Sequence, residues 1–151
     1  MYSRIACLTL LFSFLTSLAW ATPPENGIEW ETDLLKARTK ALKVDKPILI
    51  VFGAEWCTFC KKMEQTTLAE KEMVKAINER FVPVHLDFDK SKAIAKALEV
   101  KGIPSSIVIS TDADVLARKD GFAKSEEYLK ILAKGLYNHQ IRTASGTREV
   151  E

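Results

Sequence analysis

The sequence predicts an α/β fold, a central mixed β-sheet flanked by helices on both faces, and three observations carry that reading. Ile48-Leu49-Ile50-Val51-Phe52 is an unbroken β-branched and apolar run, as expected of a strand buried on both faces. Periodic segments follow one another in the order helix, strand, interrupted helix, strand, helix, strand, strand, helix. A β-α-β half followed by an antiparallel hairpin and a closing helix gives parallel and antiparallel neighbours within one sheet.

Each element has its own signal. Asp33 to Lys43 reads as the first helix, an N-terminal helical extension to the sheet domain, with Leu34, Ala37 and Ala41 on one face, Trp30 as a core anchor one turn earlier and Thr32 as N-cap. Lys46-Pro47 ends it, and the apolar run follows. The helix beginning at or near Cys57 is expected to reach about Glu64, with a break at Thr66-Thr67. A further helix spans about Glu70 to Arg80, with Val74, Ile77 and Phe81 inward. Phe81 to Phe88 alternates Val82, Val84, Leu86 and Phe88 against Pro83, His85 and Asp87, a strand period. Ser91 caps a short helix to about Glu99. Val100 to Pro104 is a turn. Ser105 to Ser110 and Val115 to Lys119 are strands joined by a turn at Thr111-Asp112-Ala113-Asp114, and Gly121 ends the second. Ser125 with Glu126 and Glu127 starts the last helix, whose stripe reads Leu129, Leu132, Ala133 and Leu136.

The chemistry-bearing stretch is Phe52-Gly53-Ala54-Glu55-Trp56-Cys57-Thr58-Phe59-Cys60-Lys61-Lys62. Two cysteines separated by two residues sit where a strand hands over to a helix. Backbone N–H groups at a helix start lack partners and favour a thiolate over a thiol, so Cys57 is the reactive sulfur. Cys60, three residues on, shares its helix face and is close enough to close a disulfide. That is the machinery of thiol–disulfide exchange. Half of a zinc site is an alternative, but only His85 and His139 remain to complete it, so no metal is expected. A static structural disulfide is another, although so small a loop constrains the unfolded chain little.

Of 151 residues, 28% are charged and 47% hydrophobic, an ordinary globular balance. Residues 1–21 stand apart. Arg4 is their single charge, Ile5 to Ala21 is apolar apart from Ser and Thr, and Ala19-Trp20-Ala21 has the small-x-small form of a signal-peptidase site. They read as a cleaved secretory signal, with an uncleaved N-terminal anchor as the alternative. Cys7 leaves with the signal. The mature chain would then have 130 residues, two cysteines and a net charge of +1, from 21 basic and 20 acidic residues. That charge points to neither nucleic acid nor an anionic membrane surface, and cysteine usage fits an oxidising compartment. Thr22 to Gly27 is a leader, the single domain spans 22–140, and 141–151 is a polar, flexible tail.

Trp56-Cys57-Thr58-Phe59-Cys60-Lys61 after an apolar strand, with Gly102-Ile103-Pro104 ahead of the hairpin and 44 residues from Cys60 to Pro104, resembles the thioredoxin superfamily. Within it, the chain is similar to secreted thioredoxin-like proteins and to the C-terminal domain of DsbD-type disulfide reductases. The resemblance implies a thioredoxin fold, Cys57 as nucleophile, Cys60 as resolving thiol, and Pro104 as a cis-proline facing them. It also implies a substrate surface of Trp56, Phe59, Ile103 and Pro104. Thioredoxins usually carry a buried acid six residues before the first cysteine, where this chain has Val51, and the acid's lysine partner falls at His85. His85, or Glu55 beside the motif, is therefore the candidate proton relay. Ile103 before the proline leans the resemblance toward a reductase, while Thr58-Phe59 does not decide the direction of electron flow.

The expected function is that of an exported, periplasmic or secreted thiol–disulfide oxidoreductase acting on protein disulfides. It would be a monomer with no cofactor and no stable membrane insertion after signal cleavage, recharged by an electron donor such as a membrane thiol reductase. The alternative is a thioredoxin-fold binding or chaperone-like adaptor that uses the same apolar surface without redox turnover.

Overall fold

The computed structural model describes residues 27–146. The expected signal, residues 1–21, and Cys7 lie outside the described residues, as do most of the leader and residues 147–151. Among the described residues, five α-helices and four strands alternate as α1 (Leu34–Val44), β1 (Ile48–Gly53), α2 (Thr58–Gln65), α3 (Lys71–Arg80), β2 (Val82–Asp87), α4 (Lys92–Ala97), β3 (Ser105–Ile109), β4 (Val115–Asp120) and α5 (Ser125–Gly146). A 3₁₀ turn at Thr67–Ala69 forms the interruption expected between α2 and α3. Among the described residues no helix is long and apolar enough to cross a membrane.

The sheet has the order β2-β1-β3-β4. β1 runs parallel to β2 with Ile48 opposite Val82 and Gly53 opposite Asp87. It runs antiparallel to β3, with Ile48 opposite Ile109 and Phe52 opposite Ser105. β1 is thus paired on both edges, and all six of its residues are buried. Leu49 and Val51 face a cluster with Met63, Met73, Ile77, Tyr128 and Leu132, beneath α2, α3 and α5. Ile48, Ile50 and Phe52 face a second cluster with Ala37, Ala41, Val84, Ala95 and Ile107, beneath α1 and α4. Each large apolar side chain among these contributes about 1.5–3 kcal/mol of burial, and a one-residue slip would exchange the two sets.

The ends of elements depart from the sequence expectations for local reasons. The N-cap of α1 is Asp33, not Thr32: its extended backbone lets the carboxylate accept from the N–H groups of Leu35 and Lys36 at 2.8 and 3.0 Å. Asp45 closes the helix in the left-handed region, φ 49°. Trp30 is half-buried rather than a core anchor, covering the edge of the first cluster. On α3 the inward side chains are Met73 and Ile77, and Val74 is half-buried at the flank. Ser91 stands at the N-cap position of α4 with no side-chain cap bond, and Ala95 is that helix's buried residue.

The stripe of α5 is also displaced. Tyr128, Leu132 and Gly135 face inward, while Leu129 and Ala133 are exposed. The cause is Gly135: a Cβ built there would meet Val108 atoms at 2.8–2.9 Å, so the helix lies with its backbone against β3. Tyr128 can then place its hydroxyl 3.0 Å from Ser106 Oγ, to which it donates, and burial pushes the phenol well above its ordinary value. α5 continues through Gly146, into the segment expected to be a loose tail from residue 141. Thr143 and Ser145 hydroxyls there donate to carbonyls four residues back, and Arg142 pairs with Asp114 of the hairpin turn.

Gly135→Ala tests the docking of α5. Helix propensity alone would favour alanine by about 1 kcal/mol, but overpacking against a stiff β-branched side chain costs about 1–3 kcal/mol. We expect a lower denaturant midpoint for Gly135→Ala, and a smaller further loss on adding Val108→Ala than the same change causes in the parent. A raised midpoint would mean that the two elements do not touch.

Candidate active site

The C-terminal end of β1 delivers the chain to a short turn. The Cys57 N–H donates to the Ala54 carbonyl at 3.0 Å, closing that turn, and Cys57 becomes the N-cap of α2. Its extended backbone leaves Sγ over the helix start, where the Cys60 N–H donates to it at 3.1 Å. Cys57 and Cys60 are joined by a disulfide, with sulfurs 2.09 Å apart and Cα atoms 5.2 Å apart. Both are buried, Cys57 at 6% exposure and Cys60 at 2%. Cys57 is the more open of the two, and its sulfur is the one that receives an N–H from the helix start, a setting that favours a thiolate after reduction.

The surroundings are apolar and open. Trp56 is 66% exposed and Phe59 61%, unusual for side chains so large. Pro104 is buried, its bond to Ile103 is cis, and Ile103 is half-buried against the second cluster. Because Phe52 pairs with Ser105, Pro104 lies at the same end of the sheet from which the chain leaves for Cys57. Register therefore brings the four expected substrate-surface residues to one pole of the molecule.

The two candidate proton carriers are separated. Glu55 is exposed on the turn. His85 pairs in register with Val51, on the α2 side of the sheet. Its Nε2 lies 3.2 Å from Glu64 Oε1, and its ring meets the Trp30 ring edge-on at 5.6 Å. A Cβ at Gly53 would come within 3.1 Å of that Nε2, so glycine leaves room for the imidazole. Glu64 follows Cys60 by four residues, one helical turn, on the same face of α2.

Sequence reasoning missed Glu64 and Asp89. The Trp56 indole N–H donates to Asp89 Oδ2 at 2.7 Å, and the other carboxylate oxygen accepts from Lys92 at 2.9 Å. Those two bonds hold the Asp89 carboxyl below its ordinary value of 3.8, the indole bond being the larger cause. The Asp-Phe-Asp-Lys-Ser run from Asp87 carries a turn signal, and Asp89 and Lys92 have helical i,i+3 spacing. Nothing local points from there to Trp56.

Similarity to known proteins agrees with this geometry. Residues 34–136 match the family model of the thioredoxin-like domain. The thiol:disulfide interchange protein DsbD of Neisseria meningitidis is 30% identical over 135 residues, which cover 81% of this chain and 22% of that protein. The chain thus spans about a fifth of that relative's length. The oxidised C-terminal domain of DsbD from the same organism superposes with a TM-score of 0.57 at 29% identity, covering 67% of this chain and 94% of that domain. A thioredoxin from Thermus thermophilus shares the fold, with a TM-score of 0.65, 20% identity, and coverage of 72% of this chain and 87% of that one.

The Asp89 bonds yield a titration test. A carboxyl whose folded value is depressed gives its stabilisation above the unfolded value and loses it as pH falls through the folded one. The Trp56–Asp89 bond should therefore persist below pH 3.8. Carbon-detected NMR titration should find Asp89 below that value and moving up toward it in Trp56→Phe. An Asp89 carboxyl indifferent to Trp56→Phe would show that the indole is not its main partner.

Proposed function

We propose, for a chain that belongs to the thioredoxin-like domain family, that it is a thiol–disulfide oxidoreductase exchanging disulfides with proteins through Cys57 and Cys60. One observation carries the reading: the disulfide-joined pair sits at a helix start, with the sulfur of the more open residue, Cys57 Sγ, receiving a backbone N–H. In the reduced protein, the Cys57 thiolate attacks a substrate disulfide sulfur. The substrate S–S bond breaks, a mixed disulfide forms, and one substrate sulfur leaves as thiolate. Cys60, deprotonated, then attacks Cys57 Sγ and releases the second substrate thiolate. Substrate gains two electrons and the protein ends in the disulfide form. A thiol donor returns the two electrons, and the same steps reversed oxidise a dithiol.

The reading assigns each residue a role, supported by where it lies. Trp56, Phe59, Ile103 and Pro104 form the surface against which the substrate backbone lies. His85 is the proton acceptor for Cys60, directly or through a water, because Val51 cannot take a proton and the imidazole lies on the α2 face beside Glu64. Glu55 is the less supported choice, since it stands on an exposed turn.

The reading includes net disulfide reduction, supported by Ile103 ahead of Pro104, and a membrane thiol reductase as donor, supported by kinship with DsbD. It also includes export, supported by the apolar segment from Ile5 to Ala21 and its small-x-small end. The exposure of Trp56 and Phe59 equally suits a binding adaptor. Insulin reduction with dithiothreitol as donor separates the two, because an adaptor shows no cysteine-dependent turnover. A reduction potential near about −270 mV would support the reductant role and one near about −120 mV an oxidant.

Two variant sets test the mechanism. Cys60→Ser should accumulate mixed disulfides with partner proteins and Cys57→Ser should not, as read by non-reducing gels. Faster alkylation of Cys60 than of Cys57 in the reduced protein would reverse the assignment. His85→Ala should slow resolution of a preformed mixed disulfide by about tenfold or more while changing the first attack much less. Unchanged resolution would leave water or Glu55 as the acceptor.

A further inference from the structure

The loop that carries Ile103 and Pro104 has little to hold it from within. Among the described residues, the backbone of Lys101, Gly102 and Ile103 forms no hydrogen bond to other backbone groups. Its placement therefore depends on anchors at its two ends, and β4 supplies both. At the far end, the Gly121 N–H donates to the Pro104 carbonyl at 2.7 Å. Ser105 and Asp120 are partners in register there, and the hydroxyl of buried Ser105 donates to Asp120 Oδ1 at 2.8 Å. At the near end, Arg118 Nη2 donates to the carbonyl of Leu98, the C-cap residue of α4. Arg118 and Asp120 stand two residues apart and so share one face of β4. The Arg118 Nε lies 3.9 Å from Asp120 Oδ1, which links the two anchors.

Resting on the proposed exchange reaction, we propose that Arg118 and Asp120 are positioning residues of the substrate surface. From β4 they bracket the 98–105 loop and hold Ile103 and Pro104 in place for an extended, disulfide-bearing protein segment.

A guanidinium is a poor choice here for stability alone. Arg118 pairs in register with fully buried Ile107. Among the described residues, its Nε is buried without a hydrogen-bond partner. A charge drawn out of water loses hydration that its partners only partly return, and an apolar side chain of similar volume commonly packs as well. What an apolar side chain lacks is a donor that reaches another element. The last carbonyls of a helix lack partners and attract a cation, so the charge ties the end of α4 to β4. The Asp120 carboxylate completes the bracket, accepting from Ser105 while it faces the guanidinium. Ordering a loop at the moment of binding weakens affinity, and ordering it beforehand removes that loss. Both residues thus act through the loop rather than on a reacting sulfur.

A positioning role predicts a split between binding and chemistry. Arg118→Met keeps most of the packing volume and removes the donor. Asp120→Ala removes the acceptor for Ser105. The Asp120 side chain is 59% exposed, so that variant keeps the test open if Arg118→Met does not fold. In ¹⁵N relaxation of the oxidised protein, order parameters of the Gly102 and Ile103 amides should fall in both variants. Asp120→Asn keeps an acceptor for Ser105 and should hold them at the parent value. With insulin disulfides as substrate, Arg118→Met and Asp120→Ala should each raise KM by about three- to tenfold, the worth of about one hydrogen bond. Their kcat should stay within about twofold of the parent, and Asp120→Asn should recover most of the KM. A parent without cysteine-dependent turnover would sink the exchange reading and this proposal with it. A parent that turns over, with variants that match its KM, sinks this proposal alone. So do unchanged order parameters, or a fall in kcat at unchanged KM, which would place the pair in the chemistry.

Discussion

The burial of β1 on both faces is the constraint on which the site depends. A strand enclosed by two apolar clusters and hydrogen-bonded along both edges has one permitted register, since a one-residue slip would turn each face's side chains toward the wrong cluster. Its last residue therefore has a fixed place. From Gly53 the chain can only turn up and over the sheet end, and the closed turn from Ala54 to Cys57 converts that exit into the N-cap of α2. The cysteine pair owes its geometry to the core beneath it. A rigid strand, a short turn and a capped helix leave the sulfurs little freedom.

At that pole the molecule separates reactivity from contact. The cysteines are nearly buried, while the aromatic side chains close to Cys57 on either side, Trp56 and Phe59, are open. Small sulfur exposure limits attack by chance thiols, and exposed aromatic area gives a protein partner something to bury as it approaches. Beneath the pair, on the α2 face, a row crosses three strands in register: His85 on β2, Val51 on β1 and Ser106 on β3. Its outer members have polar partners, Glu64 for His85 and Tyr128 for Ser106. The centre of that row is apolar, and its polar members stand on the flanks.

What the sequence alone determined is what contiguous residues can encode. The Ile48–Phe52 run sets a doubly buried strand, the turn residues before Val115 set a hairpin, and Cys57 and Cys60 at three-residue spacing set a pair at a helix start, although Cys57 is the extended N-cap and not a first-turn residue on the face of Cys60. Those features rest on backbone periodicity and local sterics, which need no knowledge of neighbours. Tertiary structure decided what depends on how elements dock. Asp33 rather than Thr32 caps α1 because of the backbone angles at that junction. Tyr128, Leu132 and Gly135, not Leu129 and Ala133, face inward because α5 lies directly on Val108. Glu64 meets His85 across 21 residues and Asp89 meets Trp56 across 33. Such pairings have no period and no local signature: each is a hydrogen bond between side chains that only the packing of helix on sheet, and of loop on strand end, brings within reach.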